Sequence, residues 1–357
     1  MTNTLTSSSS SGTGFGDTRF NLPKSHPSVH IHCDYLRMTC NQLVTYEQFT
    51  KVKDLLGGDR PWEIIEDEYF SLGKGAKSYT CRAAQPTGIR FLYTKHPNEE
   101  TGEVNYDVVF EMTGRRLSTM QNYDLWQLCV AFKAHGFSRC TRWDTAVDDY
   151  ENPDLLRQVE AATEAENCTG FKKFGYYKEG EIGKGKTGET FTLGSRQSSR
   201  FVRIYDAKNK HGIDAIRWEQ ENKRKVAQEV FDMFVQYGRA FRQTFLKSDT
   251  DPSCWEKTDD EVSEALGEYM GKMAVGHLDF VDRSEQRQNG QVSDLEKLPF
   301  WQNFIDRIGG QLKVVIVKPK PTLQKTIDWL ERQCVTGLAM THLALGKKAA
   351  YERYQKL

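Results

Sequence analysis

The sequence lacks net charge, a long apolar run and a closely spaced cysteine pair. Its 357 residues hold 49 Lys and Arg against 49 Asp and Glu, and a neutral total taken alone argues against a nucleic-acid partner. No apolar run reaches the roughly 18–20 residues that cross a bilayer, so we expect no membrane partner. No basic stretch leads into an apolar one near the first residue, so no secretory signal is expected.

The eight cysteines are scattered, and none forms a CxxC pair. In a chain of this length, that spacing favours reduced thiols in a cytoplasm over a disulfide framework or a zinc site. Hydrophobic residues make up 38% of the chain and aromatics 11%, which is enough for a sizeable core and excludes wholesale disorder. The length predicts two compact units or one large one.

Helical and strand patterns are mixed rather than strictly alternating, which predicts an α+β fold with a largely antiparallel central sheet flanked by helices. Period-two alternation and turn residues predict strands over 29–39, 89–93, 106–112, 140–148, 190–193, 201–206, 215–221 and 311–317. Apolar positions at helical spacing predict helices over 46–56, 121–135, 222–246, 259–273, 299–308 and 322–345.

Composition divides the chain into four segments. Residues 1–26 form a Ser/Gly-rich tail that we expect to be disordered, because it has too few large apolar side chains to bury. Residues 27–160 and 161–318 are predicted to be the two halves of one α+β domain. Residues 319–357 are predicted to be a C-terminal helical segment.

Three of the predicted strands carry the same chemistry on one face. Because residues i and i+2 of a strand share a face, each strand has one apolar face and one polar face. The polar faces hold Arg142, Asp144, Asp148, Arg203, Tyr205, Arg217, Glu219 and Glu221. On adjacent strands, the carboxylates can hold Mg²⁺ or Mn²⁺, the arginines can grip phosphate, and the tyrosine can act as a nucleophile. The competing interpretation is a solvated sheet face with cross-strand Arg–Glu pairs.

The neutral total hides a strongly basic segment. Fourteen basic and seven acidic residues lie between Lys172 and Lys225, so this segment carries +7 and the rest of the chain −7. Phe171, Phe174 and Phe201 are among the aromatics interleaved with these cations. This composition suits a nucleic-acid backbone with unstacked bases, although a solvated lysine-rich meander explains it equally well.

Two shorter motifs suggest other sites. Gly180–Thr187 (GEIGKGKT) matches the phosphate-loop pattern, but that loop needs a strand before it and a helix after it, and a strand pattern follows here. A flexible hairpin whose Lys184 and Lys186 touch DNA is the simpler interpretation. His30 and His32 match a two-histidine metal motif, or are polar-face residues of a strand that lie near Asp34.

The segments RWDTAVDD (142–149), LGSRQSSRFVRIYDAK (193–208) and RWEQENKRKVA (217–227) resemble the Rep_trans family of rolling-circle replication initiators. PFWQNFIDRI (299–308) and TIDWLERQCVTGLAMTHLALG (326–346) resemble the C-terminal ends of phage-type members. The resemblance extends from about His30 onward, and it implies a fold related to rolling-circle nickases.

The resemblance also implies a chemistry, in which a tyrosine attacks one DNA strand at an origin, becomes linked to the 5′-phosphate and frees a 3′-hydroxyl primer. The matching nucleophile is Tyr205. Lys208 would steady phosphate or the phenolate, while Arg203 and Arg217 would clamp phosphate. The metal ligands would be acidic, with Asp144 and Glu219 ahead of Asp148 and Glu221, and the ion Mg²⁺ or Mn²⁺. Gly194 and Ser195 would form a tight turn before the tyrosine strand.

Origin DNA is the expected partner, through Lys184, Lys186, Arg196, Arg200 and Lys210. A host helicase is a further expected partner, and a homodimer is left open. Three other functions remain open from the sequence: a non-catalytic DNA-binding protein of a mobile element, a relaxase for conjugative transfer and a phosphate-loop ATPase.

Overall fold

The computed structural model describes residues 28–57, 60–66, 79–182, 185–246, 254–284 and 295–315, together with a few positions between 343 and 349. The chain divides into two compact units, one up to Val315 and the other from Ile316. The predicted tail over 1–26 lies outside the described residues, as does most of the predicted helix over 322–345.

Eleven strands and eight helices are described in the first unit. The strands are β1 (Val29–Thr39), β2 (Val44–Thr45), β3 (Glu63–Glu66), β4 (Cys81–Gln85), β5 (Ile89–Pro97), β6 (Val104–Thr113), β7 (Arg139–Asp149), β8 (Phe174–Glu181), β9 (Gly185–Gly194), β10 (Arg200–Asp206) and β11 (Ile216–Lys223). The helices are α1 (Tyr46–Gly57), α2 (Gly114–Leu117), α3 (Asn122–Ala134), α4 (Leu155–Glu164), α5 (Lys208–His211), α6 (Lys225–Leu246), α7 (Cys254–Val275) and α8 (Pro299–Ile308).

All eleven strands join one sheet in the order β3-β4-β5-β6-β1-β7-β11-β10-β9-β8, with β2 paired to β6. Every described pairing is antiparallel. The fold class is therefore confirmed. The three strands with the Arg, carboxylate and tyrosine faces are β7, β11 and β10, and they are direct neighbours. The sheet runs through both predicted halves of the domain without interruption.

The apolar faces of these strands pack against helices. Trp218 of β11 lies 5.4 Å from Trp301 of α8, measured between ring centroids, and Trp143 of β7 lies 5.1 Å from Phe234 of α6. All four rings are fully buried. The opposite face, which carries the polar residues of β10, β11 and β7, is thereby fixed on a rigid surface. No described helix is both long enough and apolar enough to cross a membrane.

The predicted strand over 311–317 is wrong for its described part, because residues 311–315 pair with no strand. The side-chain amide of Gln311 donates to the carbonyls of Val275 and Leu278, and the amide of Leu312 donates to the carbonyl of Lys272. This segment therefore satisfies the last carbonyl groups of α7 and the residues after it, which would otherwise lack hydrogen bonds.

Candidate active site

A row of side chains crosses four adjacent strands on the polar face. The register places Tyr205 of β10 opposite Arg217 of β11, Arg217 opposite Asp148 of β7, and Asp148 opposite His30 of β1. Neighbouring strands lie about 4.8 Å apart. The predicted nucleophile, one predicted arginine, one predicted metal ligand and one histidine of the two-histidine motif therefore share a single line across the sheet.

The Tyr205 hydroxyl is held from two sides. It donates a hydrogen bond to Glu219 Oε2 at 3.0 Å, and His211 Nε2 of α5 lies 3.2 Å from the same oxygen. The tyrosine is only 5% exposed. Burial and the adjacent Glu219 charge raise the pKa of Tyr205 well above its usual range. The hydroxyl is therefore protonated at neutral pH, and its proton points at a carboxylate.

Glu219 connects the tyrosine to Arg203. Its second oxygen, Oε1, accepts a hydrogen bond from the Arg203 guanidinium, so the carboxylate is oriented by a cation on one side and faces the phenol on the other. Glu219 is fully buried, whereas Arg203 is partly exposed. A buried, oriented carboxylate within hydrogen-bonding distance of a nucleophile is the geometry of a general base.

Arg217 is paired with carboxylates on three of its nitrogens. Nε donates to Asp148 Oδ1 at 2.6 Å, Nη2 to Asp148 Oδ2 at 2.9 Å and Nη1 to Asp34 Oδ1 at 3.3 Å. Burial favours the neutral carboxyl, but His30 and the Arg217 charge outweigh it and hold the pKa of Asp148 below its usual range. Arg217, which is predicted to clamp phosphate, is therefore paired with carboxylates in the structure.

Asp34 reaches Arg217 because β1 carries a bulge. The register of β1 with β7 shifts between Cys33 and Tyr35, which leaves Asp34 as the extra residue. A bulge of this kind redirects a side chain next to a site. Gly114 lies against Asp34, where a Cβ atom would come within 2.4 Å of the carboxylate.

Asp144 and Glu221 share Arg142. The Arg142 guanidinium donates to both carboxylates, with Nη2 at 2.6 Å from Asp144 Oδ2 and 3.0 Å from Glu221 Oε2, and it lies 4.2 Å above the Tyr35 ring centroid. Burial raises the pKa of Asp144 to about 7, assisted by the charges of Glu219 and Glu221 and opposed by Arg142. These carboxylates belong to the same polar face, but each is matched by an arginine.

A group of potential metal ligands forms around His30, His32 and Asp148. One ligand atom from each residue lies within 4.8 Å of the others. Both ring nitrogens of His32 are buried without a hydrogen-bond partner, and burial lowers the pKa of His32. Nε2 lies 3.8 Å from Asp34 Oδ1, beyond hydrogen-bonding distance, and a neutral imidazole is a suitable ligand. Among the described residues, Asp144, Glu219 and Glu221 form no comparable group, so Asp148 alone of the four predicted ligands lies in one.

Of the two lysines that follow Tyr205, Lys210 and not the expected Lys208 lies near the tyrosine ring. Lys208 is exposed, and its ammonium pairs with Asp214 at 3.1 Å. Lys210 instead lies 5.1 Å from the centroid of the Tyr205 ring. A short helix separates the two residues by about half a turn, so spacing from the tyrosine alone does not decide which lysine faces it.

Three of the other predicted DNA-binding residues lie in β9, in β10 or in the turn between them. Arg196 is exposed, and its carbonyl accepts a hydrogen bond from Lys223. Arg200 donates to the carbonyl of Val314 at 2.9 Å. Lys186 lies in β9, opposite Gly180, and Lys184 lies outside the described residues. A role for each in DNA binding stays a prediction.

The phosphate-loop motif lies in the β8–β9 hairpin. β9 follows the motif and continues to Gly194, where a nucleotide-binding loop requires a helix. The hairpin interpretation is therefore confirmed for the described residues, and the phosphate-loop interpretation is wrong. Gly194, with φ +91°, and a turn from Ser195 to Ser198 precede the tyrosine strand, as predicted.

Two residues of the site were not predicted. His211 follows Tyr205 by six residues, and only the fold of α5 turns it back to the hydroxyl. Asp34 was noted only as a neighbour of the histidines. A histidine close after a tyrosine is a weak signal, and a bulge has no reliable signature in a single sequence.

Comparisons with known proteins agree with this geometry. A family model described as Rep_trans, replication initiation factor, matches residues 138–352, which is more than half of the chain. The solved rolling circle replication initiator protein from Geobacillus stearothermophilus has a similar fold, with a TM-score of 0.52 and 16% sequence identity over 81% of this chain and 100% of that chain.

A second solved structure, the apo immunity protein TplEi from Pseudomonas aeruginosa, has a TM-score of 0.14 and 13% identity over 56% of this chain and 83% of that chain. No curated protein matches the chain. The family match covers β7, β9, β10 and β11, which carry most of the site. The chain therefore belongs to the Rep_trans family of replication initiation factors.

Proposed function

We propose that this Rep_trans member initiates rolling-circle DNA replication as a nicking and closing enzyme with Tyr205 as its nucleophile. The observation that carries the proposal is the hydrogen bond from the Tyr205 hydroxyl to Glu219, inside a face that also holds arginines and a group of metal ligands. This arrangement supplies a nucleophile, a proton acceptor and phosphate-binding charge within one surface.

In the proposed step, the Tyr205 oxygen attacks a backbone phosphorus of origin DNA while Glu219 takes the phenolic proton. The bond from phosphorus to the 3′-oxygen breaks, and that oxygen leaves as a 3′-hydroxyl after gaining a proton. The product is a 5′-phosphotyrosine ester. Because the ester conserves the bond energy, attack by a 3′-hydroxyl reverses the step without ATP. Arg203 keeps the Glu219 carboxylate oriented throughout.

His211 and Lys210 assist at the same oxygen and ring. Burial, together with Arg217 and Lys210, lowers the pKa of His211, so the imidazole is neutral at neutral pH. Its Nε2, at 3.2 Å, can donate a hydrogen bond to the phenolate that forms. The Lys210 charge over the ring stabilises the same negative charge.

A divalent cation fits beside this row. His30, His32 and Asp148 would hold it, and the buried His32 nitrogens, which form no hydrogen bond in the described part of the chain, support that assignment. Two imidazoles with one carboxylate suit Mn²⁺ better than Mg²⁺, which prefers oxygen ligands. When bound, the ion polarises a phosphate oxygen. Origin DNA is the proposed substrate, and the host helicase and the cytoplasmic location expected from the sequence belong to the same proposal.

The test is adduct formation on origin DNA labelled on the 5′-phosphate side of the nick, with Mn²⁺ or Mg²⁺. The native protein should become covalently labelled. In Tyr205→Phe the rate of labelling should fall at least about 10³-fold, since this variant lacks the nucleophile. Tyr177→Phe is the matched control, because Tyr177 lies in the same cross-strand row, two strands away, and is exposed. Full labelling of Tyr205→Phe would overturn the proposal. DNA binding without nicking by the native protein would favour the non-catalytic alternative.

The metal assignment has its own readout. Calorimetric titration with Mn²⁺ should show one site that is lost in His32→Ala and kept in Asp144→Asn. Loss in Asp144→Asn with retention in His32→Ala would assign the ion to the acidic positions expected from the family resemblance.

A further inference from the structure

A pocket of about 500 Å³ opens near the other end of β10 from Tyr205. Its wall includes Lys172, Lys173, Arg200 and Lys313, and no aspartate or glutamate lines it. The three lysines are exposed. None of the four cations forms an ion pair within the described part of the chain. Four positive charges without a carboxylate repel one another, so they favour an anionic ligand.

The remaining lining fits an oxyanion. Ser195, Ser198 and Ser199 supply hydroxyl groups on the turn before the tyrosine strand. Hydroxyls, lysines and an arginine are the groups that contact DNA phosphates. The space is wider than one phosphate group requires, so the ligand can be a segment of a chain and not only a free ion.

A buried polar group provides a second, independent observation. His277 lines the pocket, and both of its ring nitrogens are buried without a hydrogen-bond partner in the described part of the chain. A buried polar group without a partner carries a cost that a ligand can remove. The Phe171 ring stands edge-on to His277, with centroids 4.9 Å apart, and lines the same pocket. The pocket therefore offers an aromatic surface beside its cations.

The pocket is separate from the candidate active site. Arg200 and Tyr205 are five residues apart on β10, which is about 17 Å along a strand, and an odd spacing places them on opposite faces. A DNA strand rises about 3.4 Å per nucleotide when stacked. One strand that passes around the sheet from Tyr205 to the pocket therefore needs at least roughly five nucleotides.

We propose that this pocket is a second phosphate-binding site, which anchors the backbone of origin DNA several nucleotides from the nick. The proposal rests on the proposed function for the identity of the DNA, and it assigns the anchor to Lys172, Lys173, Arg200 and Lys313. Phosphate contacts of this kind fix the position of the strand and carry no sequence information.

The experiment measures binding of a 30-nucleotide single-stranded origin DNA by fluorescence anisotropy over a range of salt concentrations. Each of Lys172→Ala, Lys173→Ala and Lys313→Ala should weaken binding several-fold and reduce the slope of log K against log salt by roughly 1. Lys51→Ala, an exposed lysine of α1 outside the pocket, should leave the slope unchanged. Native affinity and slope in all three pocket variants would overturn the proposal.

Two further measurements are needed. The first distinguishes DNA phosphates from free phosphate compounds, and the second distinguishes the pocket proposal from the nicking proposal. If millimolar ATP or inorganic phosphate displaces the DNA from the native protein and not from the pocket variants, the site binds free phosphate compounds, and the DNA assignment is wrong. Tyr205→Phe should keep the full effect of the pocket substitutions on binding. The pocket proposal is therefore tested by DNA affinity, whereas the nicking proposal is tested by covalent labelling of the protein.

Discussion

The polar face of the sheet and the pocket near the start of β10 differ in how their positive charges are paired. On the polar face, three arginines lie among carboxylates: Arg203 with Glu219, Arg142 with Asp144 and Glu221, and Arg217 with Asp148 and Asp34. In the pocket, no carboxylate lines the wall beside the four cations. Both regions draw residues from the basic segment between Lys172 and Lys225.

This difference separates positioning from binding. A buried arginine that is already paired holds its neighbouring carboxylate in a fixed place, and it meets a phosphate only if the pair rearranges. An unpaired lysine at the surface meets a phosphate without losing an internal partner. In the two proposals, the polar face therefore orients the reacting groups, while the pocket contributes affinity.

The strongest test of the polar face is Glu219→Gln. The amide keeps the size of the side chain but cannot accept the phenolic proton, so the rate of adduct formation should fall about 10²–10⁴-fold. The measurement is a single-turnover nicking assay across pH, with DNA affinity determined in parallel. Glu219→Asp should recover part of the rate. An unchanged rate in Glu219→Gln, with native affinity, would show that another group takes the proton.

The buried Arg217–Asp148 pair should contribute more to the free energy of unfolding than an exposed ion pair. Both side chains are almost fully buried, and Asp148→Asn leaves Arg217 with Asp34 as its remaining carboxylate partner among the described residues. The free energy of unfolding should therefore fall by about 3 kcal/mol, the lower end of the range for a broken buried ion pair. Urea denaturation in EDTA measures this change without a contribution from a bound metal.

The matched control for that experiment is Asp214→Asn, which breaks the exposed pair with Lys208. This substitution should change the free energy of unfolding by at most about 1 kcal/mol. Equal effects of the two variants would contradict the view that the buried row is held by its ion pairs.

In the pocket, His277 should make stability depend on pH. Burial, with a smaller contribution from Arg200, lowers the pKa of His277 to about 3. Below pH 6.5, the approximate pKa of His277 in the unfolded chain, the unfolded chain binds a proton at His277 that the folded chain does not bind. The stabilisation from this group is therefore full above pH 6.5 and is lost as the pH falls towards 3.

The corresponding experiment compares urea denaturation at pH 7 and pH 5. The loss of unfolding free energy over this interval should be about 2 kcal/mol smaller in His277→Gln than in the native protein. Identical pH dependence of the two proteins would show that His277 is protonated in the folded state, and that the pocket tolerates a fifth positive charge.

Most of the strands and the polar face could be predicted from the sequence. Alternation along β7, β10 and β11 is a local property, so it assigns Tyr205, Glu219 and Asp148 each to the polar face of its own strand before any partner is known. The extents of β1 and α8 were also predicted closely, because their apolar periodicity is regular. The segment 311–315 was mistaken for a strand because it has the composition of one, while its hydrogen bonds go to α7 and the residues after it.

The candidate metal ligands show the limit of prediction from the sequence. The family resemblance favours the acidic set of Asp144, Glu219, Asp148 and Glu221, and the sequence leaves a metal role of His30 and His32 open. The pairing of β1 with β7 then placed both histidines beside Asp148, 118 and 116 residues away in the chain. That pairing depends on distant strands and cannot be read from any one of them.

The sequence by itself determined the fold class, the basic segment and the candidate nucleophile, since period-two alternation and local charge depend only on neighbouring residues. Only the tertiary structure decided which carboxylate each arginine meets, that His211 rather than Lys208 reaches the tyrosine hydroxyl, and that four cations enclose a pocket without an acid. Those outcomes depend on strand order, register and a single bulge, and each of these is fixed by long-range packing that a local pattern does not contain.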